Sequence, residues 1–330
     1  MANRTTGDAP PQAGYTLQMA DFFPPCTTQS IDSVCRADEA LRPGVDAICR
    51  ILDLKDTLIA RFPDGSLPVY ALGDTKVLKI YPPPVVEELA TESGVLSAVQ
   101  GHLPIPTPTV HAVGELEGWG YLLMERLEGE SLVSVWGMLK DNERLQLASD
   151  LGQALKTLHS IEGPPEICLD WADFVDQQRH TAVDRQRQCG LDESWLRQIP
   201  PFLAETQLGN RAPNSLLHTE VMAQHLLTRK GRLGWSFSGI FDFEPAMVGA
   251  PEYEFAAVGL FFSCGERDVF RAVLLAYGYS EEELGSELAN RFLAYTIIHR
   301  YSNLPWFLSL LPPGHTMTKL EDLADHWWGT

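Results

Sequence analysis

The 330-residue chain is poor in positive charge: 25 Lys and Arg stand against 44 Asp and Glu, a formal net charge of −19. That balance repels nucleic acid and anionic membranes and favours cationic ligands such as a polyamine or an amino sugar, so no nucleic-acid or membrane partner is expected. No apolar run approaches the ~18 residues that a membrane span requires. The opening "MANRTTGDAPPQAG" has no apolar stretch that would serve as a secretory leader. The six Cys (26, 35, 49, 168, 189, 264) form no C-x-x-C pair. Their scatter indicates neither a zinc site nor a disulfide framework and fits reduced thiols in the cytoplasm. No internal repeat stands out, and the sequence does not bear on oligomeric state.

What is present is ordinary globular material, 45% hydrophobic and 21% charged. The length suggests two lobes rather than one core. Residues 1–43, rich in Pro, Thr and Asp, read as a partly ordered lead-in, and "GVDAICRILDL" as a short helix. "LPVYALGDTKVLKIYPP" gives two β-rich runs around Gly73-Asp74, a hairpin pattern. "VVEELATESGVLSAVQGHL" places Leu89, Val95, Leu96 and Val99 on one helical face. A strand, a turn at Glu117–Gly120 and an apolar strand ending at Met124-Glu125-Arg126-Leu127 complete a sheet-rich first part.

The texture then turns helical. "DNERLQLASDLGQALKTLHSI" carries Leu147, Leu151, Leu155 and Leu158 on one face, with Asp141 or Asn142 as cap. Residues 162–213 read as helical in pieces. After "SLLHTEVMAQHLLT" come two short strands joined by a Lys-Gly-Arg turn, then helices to the end. Ser280 and Glu283 form a capping box expected to open a long helix. This order predicts an α+β, bilobal, protein-kinase-like fold. A small antiparallel-sheet N-lobe (44–126) would bind nucleotide. A larger, mainly helical C-lobe (127–330) would carry the catalytic loop, metal and acceptor sites.

Phosphoryl transfer requires clamped phosphates, a metal held between them and an acceptor hydroxyl aimed in line. Lys79 sits on a predicted strand and shares a face with Val77 and Tyr81. A Lys in apolar surroundings needs an anionic partner, and Glu92 on the following helix supplies one. Asp242 and Glu244, in "GIFDFEP", close a strand. At i and i+2 of an extended backbone they point the same way, and hard cations bind one or two carboxylates plus substrate phosphates.

These stretches, "VLKIY", "ATESGVL", "YLLMERLEGESL", "LGQALKTLH", "LLHTEVMAQHLL" and "GIFDFEPAMVGAPEYEFA", resemble the aminoglycoside phosphotransferase family of kinase-like enzymes. The spacing is most similar to hygromycin B kinases, and the ordered set covers roughly residues 60 to 300. By that resemblance Lys79 would bind the α- and β-phosphates of ATP or GTP and Glu92 would orient it. Asp242, with His225 and Glu244, would hold Mg²⁺ or Mn²⁺. Ser66, in "FPDGSLP", takes the place of the phosphate-covering loop, although that stretch is not glycine-rich. Backbone groups of Glu125 and Leu127 would meet the purine. Glu254 falls where the family has a buried structural Asp and is expected to be scaffold.

The departures lie in the loop that the family writes H-G-D-x-x-x-x-N. Here it begins His218-Thr219-Glu220 and ends at His225, so Glu replaces the catalytic Asp and His the metal-binding Asn. Glu adds a methylene, about 1.5 Å of reach, and misplacement on that scale costs about 10²-fold. Imidazole suits Mn²⁺ or Zn²⁺ better than Mg²⁺. The expected activity is ATP- or GTP-dependent phosphorylation of a hydroxyl on a cationic, aminoglycoside-like small molecule, with Glu220 and His218 as catalytic residues. The alternative is an impaired pseudokinase that binds nucleotide or a metabolite. Glu252, Glu266, Glu321, Asp322 and Asp325 are candidate acceptor ligands. The His326-Trp327-Trp328 cluster fits closing a core better than stacking a sugar.

Overall fold

A computed structural model describes residues 21–54, 57–208, 215–232 and 234–330. Residues 1–20, which include the start of the expected lead-in, lie outside it, as do residues 209–213 of the stretch read as helical in pieces.

Five strands form one antiparallel sheet: β1 (Ile59–Arg61), β2 (Val69–Leu72), β3 (Lys76–Tyr81), β4 (Val110–Leu116) and β5 (Trp119–Glu125), in the order β1-β2-β3-β5-β4. β3 is central, and period-2 alternation divides its side chains. Leu78 and Ile80 face a cluster built on helix α2 (Asp38–Ile51). Val77 and Tyr81 face the main core with Leu89, Val95 and Leu96 of α3 (Glu87–Val99). Lys79 therefore points to the α3 side.

The lead-in is more structured than its composition suggests. Helix α1 (Ile31–Arg36) precedes α2, which begins at Asp38 and runs through Pro43. The sequence pattern "GVDAICRILDL" places the start of that helix after the proline. Leu41, Val45 and Ile48 are fully buried on one face, and that burial outweighs the single hydrogen bond Pro43 removes. Upstream, Phe23 stacks on Trp119 at 4.6 Å, so residues 21–43 belong to the N-lobe.

The C-lobe opens with β6 (Glu130–Ser131) and α4 (Leu132–Val135), followed by α5 (Asp141–Leu158), α6 (Trp171–Gln188), α7 (Glu193–Leu196) and α8 (Ile199–Glu205). Asp141 is helical rather than a cap; Glu143 instead accepts the Lys140 amide at 3.0 Å. Two ribbons follow. β7 (Ser215–Leu217) pairs with β10 (Met247–Gly249), and β8 (Leu226–Gly231) pairs with β9 (Gly234–Ile240) and β6.

Helices α9 (Phe255–Ala257), α10 (Arg267–Tyr277), α11 (Ser286–Ile298), α12 (Leu304–Ser309) and α13 (Leu320–Trp328) complete the lobe. The Ser280–Glu283 box caps only a short 3₁₀ turn, because Gly285 (φ 142°) redirects the chain before α11 begins at Ser286. Trp327 and Trp328 are buried core residues, as the cluster's core reading expects. Among the described residues no helix is long and apolar enough to cross a membrane.

Candidate active site

The two ribbons create the site. Register pairs Leu226 with Ile240 and Leu217 with Met247. The loop 218–225 and the loop 241–246 are thus held side by side from both ends, and the Phe241 amide donates to the His225 carbonyl at 3.2 Å. Across from them β3 presents Lys79.

Lys79 is 3% exposed, and its Nζ lies 2.8 Å from Glu92 Oε2 and 2.6 Å from Asp242 Oδ1, with Glu244 also in contact. Burial alone would push the ammonium down, but Asp242 and then Glu92 lift it above the usual lysine range. Burial likewise opposes ionisation of Asp242, yet Lys79 and His225 hold its carboxyl down at about 2. Tyr81, two residues after Lys79 on the same strand face, donates its hydroxyl to Glu92. The sequence reading missed this tyrosine, although strand alternation was a usable pointer.

Asp242 is not extended. Its φ of 74° places it in the left-handed region, so the i, i+2 alternation argument does not describe how Asp242 and Glu244 converge; a backbone turn after Ile240 brings them together on Lys79. Glu244 contacts the ammonium and keeps a carboxylate oxygen within 4.8 Å of those of Asp242 and Glu92; His225 also meets Asp242, with Nε2 3.1 Å from Oδ2. His225 Nδ1 donates to the Glu220 carbonyl at 2.8 Å, a backbone partner that fixes the tautomer and turns Nε2 toward Asp242.

His218 is fully buried. Its Nε2 donates to the Phe241 carbonyl at 3.0 Å, and the Glu220 amide points at Nδ1 at 3.4 Å. Burial lowers its pKa. Braced on both nitrogens, the ring holds the loop in place. Thr219 takes φ 70°, a conformation costly for a β-branched residue. It is held there by its amide to Glu254 Oε1 (2.8 Å) and its hydroxyl to the Pro245 carbonyl (2.9 Å). Glu254, fully buried, also accepts the His218 amide at 2.7 Å and faces His159 Nε2 at 3.4 Å. That is the scaffold role expected of it.

Glu220 is half-buried, and its carboxylate accepts no hydrogen bond from any described residue. Burial raises its pKa, against His225, while Asp242 adds to the rise. It is the one loop carboxylate with open acceptor capacity.

The remaining expected residues lie apart. Ser66 is exposed in the β1–β2 connection. Glu125 ends β5 with its amide spent on the Thr109 carbonyl at 2.8 Å. The Leu127 amide has no backbone acceptor among the described residues, and its side chain covers Gly239, where a Cβ would sit 2.6 Å from Leu127 Cδ1. Of the acceptor candidates, Glu252 is spent on Arg291 (3.0 Å), Glu266 on Trp136 and Arg144, and Asp325 on Arg267. Asp322 accepts the Lys319 amide at 3.2 Å as the cap of α13.

These parts are those of a nucleotide-dependent phosphotransferase, and residues 59–288 match the phosphotransferase enzyme family. The chain belongs to that family. No curated protein matches it in sequence. Solved structures share its kinase-like fold at low identity. The GDP complex of a variant aminoglycoside 2′-phosphotransferase of type IIIa has a TM-score of 0.66 at 17% identity, covering 86% of this chain and 98% of the other. ADP-bound APH(2″)-Ib gives 0.57 at 18%, covering 84% and 97%. A thermostable APH(4)-Ia variant with AMP-PNP and hygromycin B gives 0.51 at 19%, covering 73% and 82%.

The donor set fits a divalent cation. Around Lys79, three carboxylates face one ammonium, which leaves uncompensated negative charge. Beside it, His225 Nε2 and Asp242 Oδ2 converge as a nitrogen and an oxygen ligand. Glu92, Asp242 and Glu244 also present carboxylate oxygens within 4.8 Å of one another, so a divalent cation would find donors in Asp242 and His225, with Glu244 and Glu92 within reach.

Proposed function

We propose that the protein is an ATP- or GTP-dependent kinase that phosphorylates a hydroxyl of an amino- and hydroxyl-bearing small molecule. The carrying observation is Lys79, bonded at once to Glu92 of α3 and Asp242 of the 241–246 loop while Glu220 stands free beside them. In this reading Lys79 binds the nucleotide's phosphates and Glu92, braced by Tyr81, fixes its direction. Asp242 and His225 would hold a divalent cation, which would neutralise charge on the phosphates. Glu220 receives the acceptor hydroxyl's proton. The acceptor oxygen bonds to the γ-phosphorus, the bond to the β-phosphate oxygen breaks, and that electron pair leaves with the nucleoside diphosphate.

The net charge of −19 favours a cationic acceptor, and the small molecules bound in two structural neighbours, kanamycin and streptomycin, are of that kind. Ser66 and the Glu125–Leu127 backbone remain the candidates for covering the phosphates and meeting the purine, the latter supported by the open Leu127 amide.

One observation favours a second reading. Glu244 also occupies Lys79, and with Glu and His in the family's Asp and Asn places this suits a pseudokinase. Thermal-shift titration with ATP and GTP in Mg²⁺ or Mn²⁺, then phosphate transfer to a panel of hydroxylated amines, separates the two. Binding without transfer on any acceptor sinks the kinase reading.

A further inference from the structure

Past the end of α11 the backbone is fastened to Tyr253, with the His299 ring against the Thr219 backbone of the Glu220 loop. The Arg300 amide donates to the Tyr253 hydroxyl at 3.0 Å, and the Tyr301 amide donates to His299 Nδ1 at 3.2 Å. The His299 ring stacks on Tyr253 at 4.6 Å, and Arg185 donates to the His299 carbonyl at 3.1 Å. This anchoring fixes the origin of the Arg300 side chain, whose guanidinium lies over the Tyr301 ring, 5.1 Å from its centroid.

Nε and Nη2 of Arg300 are buried and have no hydrogen-bond partner among the described residues. Arg144, Arg179 and Arg185 also leave a buried Nε unpaired, but among the described arginines only Arg300 leaves two such nitrogens, and unpaired buried N–H groups are costly. Glu220 of the loop and Glu88 of α3 each feel the positive charge of both Arg300 and Lys79. No described carboxylate bonds to Arg300, whereas Lys79 is saturated by three. The cleft thus carries two cations beside the same pair of carboxylates, one engaged and one open.

We infer that Arg300 binds the non-bridging oxygens of the transferring γ-phosphoryl group, acting from within the chain on the acceptor side while Lys79 holds the nucleotide side. The inference rests on the kinase reading. A guanidinium fork matches phosphate oxygens, and an arginine supplied within the chain is an effective way to neutralise charge in phosphoryl transfer. An anionic acceptor would be repelled by Glu88 and Glu220. The phosphoryl group is the anion that the reaction itself carries to Glu220, because the oxygen losing its proton there is the oxygen that bonds to phosphorus. The phosphate arrives from the nucleotide and leaves on the acceptor, so Arg300 gains and loses no proton.

The test uses the full chain, and calorimetric titration with ADP and with GDP, in Mg²⁺, with and without beryllium fluoride as a mimic of the γ-phosphoryl. The wild type should bind the fluoride complex about tenfold to a hundredfold tighter than the diphosphate alone, the range of one charge-assisted hydrogen bond. Arg300→Ala should bind the diphosphate as the wild type does and lose that gain, with Arg300→Lys intermediate. Arg300→Gln carries the comparison if the alanine variant does not fold. Equal gain in wild type and variants, or no gain in the wild type, overturns the role of Arg300 and leaves the kinase reading standing. A wild type that binds neither diphosphate overturns both.

Discussion

His225 Nε2 lies 3.1 Å from Asp242 Oδ2 while His225 Nδ1 is spent on the Glu220 carbonyl. One histidine thereby links the proposed base loop to the proposed metal carboxylate. If both receive the cation, replacing His225 by Asn should lower the ratio of Mn²⁺- to Mg²⁺-supported turnover, because imidazole favours the softer ion. Calorimetric Mn²⁺ affinity should fall in the same variant. An unchanged ratio reduces His225 to a structural link.

Asp242→Ala should abolish metal-dependent turnover. Lys79→Ala should do the same and also cost stability, since Glu92, Asp242 and Glu244 would face one another without the ammonium. Removing one partner of a buried ion pair typically costs about 3–5 kcal/mol. Chemical denaturation checks the second effect, and a folded, fully active Lys79→Ala enzyme would remove Lys79 from the mechanism.

Glu220→Gln should lower kcat by about 10²–10⁴-fold with little change in nucleotide affinity. Glu220→Asp should lose roughly 10²-fold, because Thr219 at φ 70° and its two clamps set the loop for the longer acid. A rate equal to or above wild type in the Asp variant would show that the loop merely drifted.

The pH profile supplies a separate check on Glu220. Burial raises its pKa and the base must be ionised, so activity should fall, as pH drops, at a higher pH than the ordinary glutamate value of about 4.3. Asp242, held at about 2, stays ionised through that range. The acid limb should be absent from the residual rate of Glu220→Gln.

Stability should also decline with acid. Burial holds His299 at about 3, below the unfolded value of about 6.5. Between those values the unfolded chain binds the extra proton, so stability is full above pH 6.5 and lost progressively toward pH 3. The part due to His299 amounts to about 2 kcal/mol between pH 7 and pH 5. His299→Phe, which keeps the ring on Tyr253, should flatten that slope in urea titrations at the two pH values.

The sequence by itself determined the lobes, the central strand with Lys79 facing α3, the partnership with Glu92, and the loop with its Glu and His replacements. All of these follow from local periodicity, or from motifs whose residues lie close in the chain. Tertiary structure decided the rest. Asp242 adopts a left-handed backbone that strand alternation does not foresee, and Glu244 turns to Lys79 rather than toward His225. Helix α2 passes through Pro43 because its buried face pays for the lost bond, and Gly285 cuts the helix that Ser280 seemed to open. Arg300 carries no sequence motif. Its position depends on where α11 ends against a loop some eighty residues earlier in the chain, and such long-range approach is set by packing, which no local pattern encodes.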